Sequence, residues 1–328
     1  MVRRVGHLFK RIISFENLMT AFRKAKKGAG GSESSNLFFF NLEIEIIQLQ
    51  KELENGEYKP GEYKIFKVYE PKERVISVAP FRDRVVHHAV VSVLEPVFEK
   101  IFIFDSYATR KEKGTHKAVE RAQNFMRKNE WFLKSDIKSY FASVDINMLI
   151  RIIKKKIKDV EVVELIEKIL MNGSEDGKGL PIGNLTSQFF ANVYLNIFDH
   201  FVKEKLKPAG YIRYMDDFVL FSQDREFLKN CRKEIEMFLK DSLGLCLKDN
   251  ATYINSNRNG LSFLGKRIYQ GIIRIKRENL TRSLKKVHHR YRQFEKNIIS
   301  EQKFTQSIAS ITGYLNEGNS FKLRKALI

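Results

Sequence analysis

An α+β fold, with an antiparallel sheet backed by helices, follows from three observations. Helical and extended patterns alternate along the 328 residues without a regular strand–helix–strand rhythm, which argues against a parallel sheet. Residues 211–221, YIRYMDDFVLF, are two β-prone runs around a short polar turn, the pattern of a hairpin. Residues 188–206 carry Phe189, Phe190, Val193, Ile197, Phe198 and Phe201 at near-helical spacing, an apolar face able to cover such a sheet.

The elements follow in order. Residues 14–27 place Phe15, Leu18, Met19 and Phe22 on one helical face. KGAGGSESSN, 27–36, reads as a loop, and 37–53 as one helix ended by Asn55-Gly56. Strands at 63–69 and 74–78 flank Glu70-Pro71-Lys72-Glu73. Helices are expected at 81–98 and 116–128. The first carries His87 and His88, which as helix neighbours cannot face one metal and are expected to be surface or core residues. A short strand at 131–135 ends on Asp136. Residues 146–171 read as one charged helix, 173–183 as a Gly-rich loop, and 224–243 as a helix stopped by Gly244. Two short strands in 261–275 turn at Gln270-Gly271, and the chain is helical and basic from 277.

Lys and Arg number 59 against 39 Asp and Glu, a net charge of +20. Between 266 and 328 the count is 15 Lys and Arg against 4 Glu. An excess so placed favours a polyanionic partner over a neutral small molecule. Cys231 and Cys246 have no neighbouring Cys or His at ligand spacing. Neither a zinc site nor a disulfide scaffold is expected, and the setting is reducing and intracellular. The N-terminus, MVRRVGHLFKRIISFENL, is basic but lacks the apolar run of a signal peptide. No stretch reaches the roughly 18 apolar residues of a membrane span, so no span is expected; a membrane surface is the alternative reading of the basic amphipathic start, and no membrane partner is expected. The basic start reads as a helix facing nucleic acid.

Three acids fall at strand ends: Asp136 after WFLKS, and Asp216 and Asp217 after YIRYM. An Asp-Asp turn alone is also what a solvated tight turn looks like. Three converging carboxylates, however, repel one another unless a cation sits among them. Hard oxygen ligands suit Mg²⁺, and two such ions about 3.5–4 Å apart serve phosphoryl transfer. Phosphoryl or nucleotidyl transfer is therefore the first chemical reading.

The flanking residues carry a resemblance. YMDD between apolar strands looks like the catalytic hairpin of reverse transcriptases. LKSDIKSYFASVD resembles the segment that supplies their third catalytic aspartate, here Asp136, with Ile137 offering its backbone to the metal. GLPIGNLTSQFFANVYLN resembles the loop and helix that contact nucleotide and template, and FLGKRI the hairpin that grips the primer. RVISVAPFRDRVVHHAV and SYATRKEKGTHKA resemble two finger segments of bacterial members. The blocks stand in the family's order over roughly residues 74–268. The pattern IGxxxSQ (Ile182-Gly183 to Ser187-Gln188), with the N-terminal FENLMTAFRKAKKG, resembles the reverse transcriptases of diversity-generating retroelements, prokaryotic and phage enzymes related to those of group II introns.

The resemblance implies a right-hand polymerase fold of fingers, antiparallel palm and short helical thumb. Residues 1–130 would hold an N-terminal extension and fingers, with part of the palm near 81–100. Residues 131–272 would form the palm, with a finger insertion near 150–180, and 273–328 the thumb. It implies RNA-templated DNA synthesis in a prokaryotic cytoplasm, phage-encoded or not. Asp136, Asp216 and Asp217 would hold two Mg²⁺ ions, with Mn²⁺ as an alternative. Partners would be template RNA, the cDNA/RNA duplex, deoxynucleoside triphosphates and a small accessory variability protein. The product would be error-prone cDNA from a template-repeat RNA.

Individual roles follow from the same likeness. Lys72 and Arg74 would meet the triphosphate, for which an Arg fork is well shaped. Phe141 would lie beneath the sugar and exclude a ribose 2′-OH, the group that separates the two sugars; it reads equally as a core aromatic. Gly183 and Gln188 belong to the nucleotide loop. Ile182 stands where retroviral enzymes usually carry Gln, and a site without that polar contact discriminates less. Lys248 is the nearby substitute for a family lysine whose matching position holds Ala251. Phe263, Leu264 and Gly265 would grip the primer. Arg110 matches a family position of undefined role. Arg282, Lys285, Lys286, Arg290 and Arg292 would track phosphates without reading sequence. A group II intron or retron enzyme is the alternative reading; the chain is expected to end without an RNase H, endonuclease or long maturase extension, and the last of these weighs against the intron type. A catalytically idle RNA-binding protein is the alternative of another class.

Overall fold

The computed structural model describes residues 4–28, 31–69, 73–174, 176–316 and 318. In chain order the elements are α1 (Phe9–Ile13), α2 (Phe15–Lys27), α3 (Glu33–Phe40), α4 (Leu42–Glu54), β1 (Lys64–Val68), β2 (Arg74–Val78), α5 (Phe81–Glu99) and α6 (Thr115–Lys128). Next come β3 (Trp131–Asp136), α7 (Tyr140–Ser143), α8 (Ile146–Lys154), α9 (Val160–Met171) and α10 (Leu185–Phe201). They are followed by β4 (Gly210–Tyr214), β5 (Asp217–Ser222), α11 (Arg225–Leu243) and β6 (Tyr253–Ser256). The chain closes with β7 (Leu261–Phe263), β8 (Lys266–Ile268), β9 (Ile273–Ile275), α12 (Arg277–Glu295) and α13 (Glu301–Asn316). Every strand pair is antiparallel, as the sequence pattern predicts. Among the described residues no helix is long and apolar enough to cross a membrane.

The chain forms two compact units. The first comprises 1–109, 137–205 and 235–247. Its centre is α5, whose Val85, Val86, Ala89, Val90, Val93, Leu94 and Val97 are all buried and form one broad apolar face turned to the core. Helices α2 and α10 pack against it. His87 is buried on α5, and burial pushes its imidazole down to about 3, so it stays neutral there.

The second unit comprises 110–136, 206–234 and 248–328. Its four-stranded sheet runs β4-β5-β3-β6. Helix α6 packs on β4 and β5, where Phe125 stacks on Phe221 with ring centroids 5.4 Å apart. A second sheet runs β7-β8-β9, and α12 packs on α13.

Several expectations are corrected. The helix read at 37–53 is two, because Asn41 leaves helical geometry (φ −106°, ψ 28°) and its side chain turns back to the Leu37 carbonyl, competing with the helix ladder. The loop read at 27–36 is already helical from Glu33. The helix read at 146–171 breaks at 155–159, where the chain serves the N-terminus instead. Ile157 bridges Val5, and the Asp159 carboxylate accepts the N–H groups of His7, Leu8 and Phe9 at the start of α1. Residues 261–275 hold three strands, since a further turn falls at Leu264-Gly265. Strand β6 lies in a polar stretch with no clear alternation and was not expected.

Candidate active site

Strand register builds the acidic site within the second unit. On central strand β3, Phe132, Lys134 and Asp136 share one face, because side chains alternate. Asp136 stands directly opposite Asp217, the first residue of β5. Tyr214 pairs with Asp217 across β4 and β5, so Met215 and Asp216 are the two-residue turn. Met215 takes a positive φ of 57°, a strained state for a side chain and one that needs external support. Fully buried Arg213 supplies it, donating from Nη1 to the Met215 carbonyl at 3.0 Å.

Like charges directly opposed across a ladder destabilise it. Burial pushes the Asp217 carboxyl up to about 6; the Lys134 ammonium opposes that rise, and the charges of Asp136 and Asp216 add to it. Lys134 Nζ lies 3.0 Å from Asp217 Oδ1, a buried oxygen that receives no well-aligned hydrogen bond. Sequence reasoning passed over Lys134 and Arg213. Their signal was alternation: Lys134 precedes Asp136 by two, and Arg213 is a charge inside an otherwise apolar strand.

Among the described residues no group of three or more His, Cys, Asp or Glu side chains is arranged to hold a metal ion. The acidic set fits a hard divalent cation in its donor type. It also holds a buried carboxylate oxygen that, among the described residues, is answered by a lysine ammonium alone, which is a place for positive charge. Ile137, which would offer its carbonyl, is buried and bridges Leu247. The Lys248 N–H donates to the Asp136 carbonyl at 2.9 Å, so the backbone of this lysine is tied to the acidic strand end.

The first unit holds a separate cavity of about 690 Å³. It is lined by Val75 and Ser77 of β2, by Phe141 and Ala142, and by Gly173, Asp176 and the loop residues from Lys178 to Ile182. Phe141 and Ile182 are thus brought together, while Arg74, Gly183 and Gln188 are not among the lining residues. The loop is stitched to β2: Ser77 N–H donates to the Ile182 carbonyl at 2.8 Å, and Asn184 Nδ2 to the Ser77 carbonyl at 2.9 Å. Gly183 has a φ of 118°, and a Cβ there would lie 2.9 Å from Ile76 Cγ2 and 3.0 Å from the Ser77 oxygen. Lys72 lies outside the described residues. Gln188 is half-buried in the first turn of α10, and Arg74 is exposed.

In the second unit, Phe263, Leu264 and Gly265 make the β7-β8 turn. Leu264 and Gly265 both have positive φ, 47° and 78°, the requirement of a two-residue hairpin of type I′. Phe263 is buried, and the Gly265 carbonyl accepts from Asn279 Nδ2 of α12 at 3.2 Å. Arg282, Lys285, Lys286 and Arg292 are exposed along α12. A groove of about 500 Å³ is lined by Lys285, His288, His289, Tyr291, Arg292 and Glu295. Arg290 differs, being half-buried with Nη1 donating to Gln293 Oε1 at 2.8 Å. Arg110 is half-buried and is the first residue of the second unit.

An antiparallel sheet with carboxylates at opposed strand ends, covered by helices, defines a polymerase-like fold. Apo telomerase from Candida tropicalis shares it, with a TM-score of 0.52 at 14% identity over 66% of this chain and 49% of that one. Residues 59–268 match the model of the family described as reverse transcriptase (RNA-dependent DNA polymerase), and the chain belongs to that family. It is 28% identical to Protein YkfC of Escherichia coli, over 69% of this chain and 72% of the relative. It is 31% identical to the group II intron-encoded protein LtrA of Lactococcus lactis, over 49% of this chain and 28% of the relative. A putative COX1/OXI3 intron 2 protein of Saccharomyces cerevisiae is 23% identical, over 79% of this chain and 38% of the relative. The chain thus spans most of YkfC and well under half of the two intron proteins.

Proposed function

We propose that this chain is the reverse transcriptase of a diversity-generating retroelement, which copies a template-repeat RNA into error-prone cDNA for targeted diversification. The observation that supports polymerase chemistry is the register that opposes Asp136 to Asp217, with Asp216 in the adjoining turn. We read the sheet of β3 to β6 as the palm, β1 and β2 as part of the fingers, and α12 with α13 as the thumb.

In this reading Asp136, Asp216 and Asp217 hold two divalent cations, Mg²⁺ by donor type. When bound, the ions lower the cost of charge on the attacking 3′-oxygen and on the departing pyrophosphate. The carboxylates supply the negative frame, and Arg213 fixes the turn that carries two of them. Phe141 packs against the sugar and excludes a 2′-OH. Ile182 offers the base no hydrogen bond, which weakens discrimination. Exposed cations of α12 follow the phosphates of the cDNA/RNA duplex. A small accessory variability protein completes the assembly.

The test is primer extension on an RNA template with Mg²⁺, for wild type and Asp216→Asn, followed by sequencing of the cDNA. Wild type extends, with errors concentrated opposite adenine, and Asp216→Asn does not. Ile182→Gln lowers the adenine errors. Equal activity of wild type and Asp216→Asn would refute the polymerase reading. A second reading, an enzyme of group II intron type, is favoured by the likeness to LtrA, and an error spectrum with no preference for adenine would select it.

A further inference from the structure

We propose that Lys134 is a positioning residue of the acidic site: it holds Asp217 in the metal-free protein and sets how readily a divalent cation enters. The inference rests on the reading of Asp136, Asp216 and Asp217 as the metal-holding carboxylates.

Lys134 and Asp136 share a face of β3, two residues apart. Lys134 stands opposite Val219 on β5 and opposite Tyr253 on β6, while Asp136 stands opposite Asp217. Lys134 is therefore one pleat behind the acidic pair and diagonal to Asp217, a distance a long side chain spans. Its Nζ reaches Asp217 Oδ1 at 3.0 Å, and the two side chains are only 12% and 20% exposed. A pair this sheltered is not the solvated surface bridge that contributes almost nothing. Removing one partner would leave a buried charge uncompensated.

The same contact acts on an incoming cation. A divalent ion among the carboxylates arrives where Lys134 already places one positive charge. The ammonium repels it, and for Asp217 Oδ1 to become a ligand the ammonium must give way. Lys134 thus pulls in two directions. It stabilises the metal-free sheet end and weakens cation binding. A lysine that only props the fold would move stability and leave cation affinity alone.

The experiment uses the full chain with Mn²⁺ as the probe. Binding is read by electron paramagnetic resonance, and stability by thermal unfolding with chelator and with Mn²⁺. Lys134→Met is expected to lower the melting temperature in chelator and to tighten Mn²⁺ binding on the order of tenfold or more. Mn²⁺ then raises its melting temperature by more than it raises that of wild type. Lys134→Arg, which keeps the charge, restores both values. If Lys134→Met does not fold, Lys134→Gln keeps a hydrogen-bond donor without the charge, and the same tightening is expected. Unchanged or weaker Mn²⁺ binding in the folded, uncharged variant overturns the proposal. Asp216→Asn separates the two readings. If it binds Mn²⁺ as wild type does, the carboxylate reading fails and the proposal with it. If it binds less while the Lys134 variants match wild type, the proposal alone fails.

Discussion

At the acidic strand ends, sheet hydrogen bonds place the side chains. Asp136 and Asp217 are register partners, and Asp216 lies in a turn whose length the same ladder sets. The cavity beside Phe141 is assembled otherwise, from β2, from the residues after β3, and from a loop tied to β2 by a few hydrogen bonds. A frame made by register tolerates an isosteric side-chain exchange, because its backbone bonds do not depend on the side chain. A frame made by loop contacts depends on the shape of each residue in it. Substitutions at the first site should therefore change chemistry and charge, and those at the second should change selectivity and stability.

The largest expected effect is at the register-held site. Asp217→Asn keeps the shape and removes the charge, and primer extension should fall on the order of 10³-fold. The same variant tests the electrostatics. With the folded carboxyl near 6, above its ordinary range, the metal-free native state binds more protons than the unfolded state between about pH 4 and 6. The contribution of Asp217 to stability is then greater below that window and is lost as pH rises through it, by roughly 2–3 kcal/mol. Buried His87, held down to about 3, contributes a slope of the opposite sign to wild type and variant alike, so denaturant unfolding in chelator should show the Asp217 contribution as the difference in slope between wild type and Asp217→Asn. An unchanged slope would mean that Asp217 is not the group held up by burial.

At the loop-built cavity, Phe141→Ala should leave deoxynucleotide incorporation near its starting rate. Ribonucleotide incorporation should rise on the order of 10–100-fold, measured by single-nucleotide extension. If both fall together, Phe141 is a packing residue and the cavity is not a sugar gate. Gly183→Ala adds a Cβ within 3.0 Å of Ile76 and Ser77 at a left-handed φ, and should cost roughly 2–3 kcal/mol by denaturant midpoint. A silent Gly183→Ala would show that the loop relaxes freely and would blur the contrast between the two frames.

The contrast also explains what could be read before the fold was known. Short apolar, β-prone runs in WFLKSD and in DFVLFS mark strands, and an Asp-Asp turn between apolar runs marks a hairpin. The meeting of Asp136 with Asp217 needs only the assumption that these strands pair. Lys134 was equally visible as a residue, but its diagonal relation to Asp217 exists only once the register is known. The cavity was less legible, because only Val75 and Ser77 share a strand period, and no local period joins them to Phe141 or to Lys178. Phe141 and Ile182 entered through family likeness and not through pattern. Helix breaks at Asn41 and at 155–159 were hidden for a related reason: the groups that claim those backbone atoms, Val5 and the start of α1 in one case and the Asn41 side chain in the other, leave no trace in hydrophobic periodicity.

The smallest expected effect is on α12, where neither kind of frame operates. Lys285 and Arg290 are alike in sequence, both basic and both within the same charged stretch. Lys285 is exposed on a groove with Arg292, whereas Arg290 is half-buried and donates to Gln293. An exposed lysine needs no positioning to meet a phosphate, so Lys285→Ala should weaken binding to an RNA–DNA duplex by only a few fold, roughly alike for all sequences, and lower the salt slope by about 1. Arg290→Ala should leave that slope unchanged and lower the melting temperature, because its guanidinium is already engaged within the helix. Binding titrations across salt concentrations separate the two. Equal slopes for both variants would mean that Arg290 leaves Gln293 for a phosphate when the duplex binds, and that exposure in the free protein does not decide which cations of α12 do the binding.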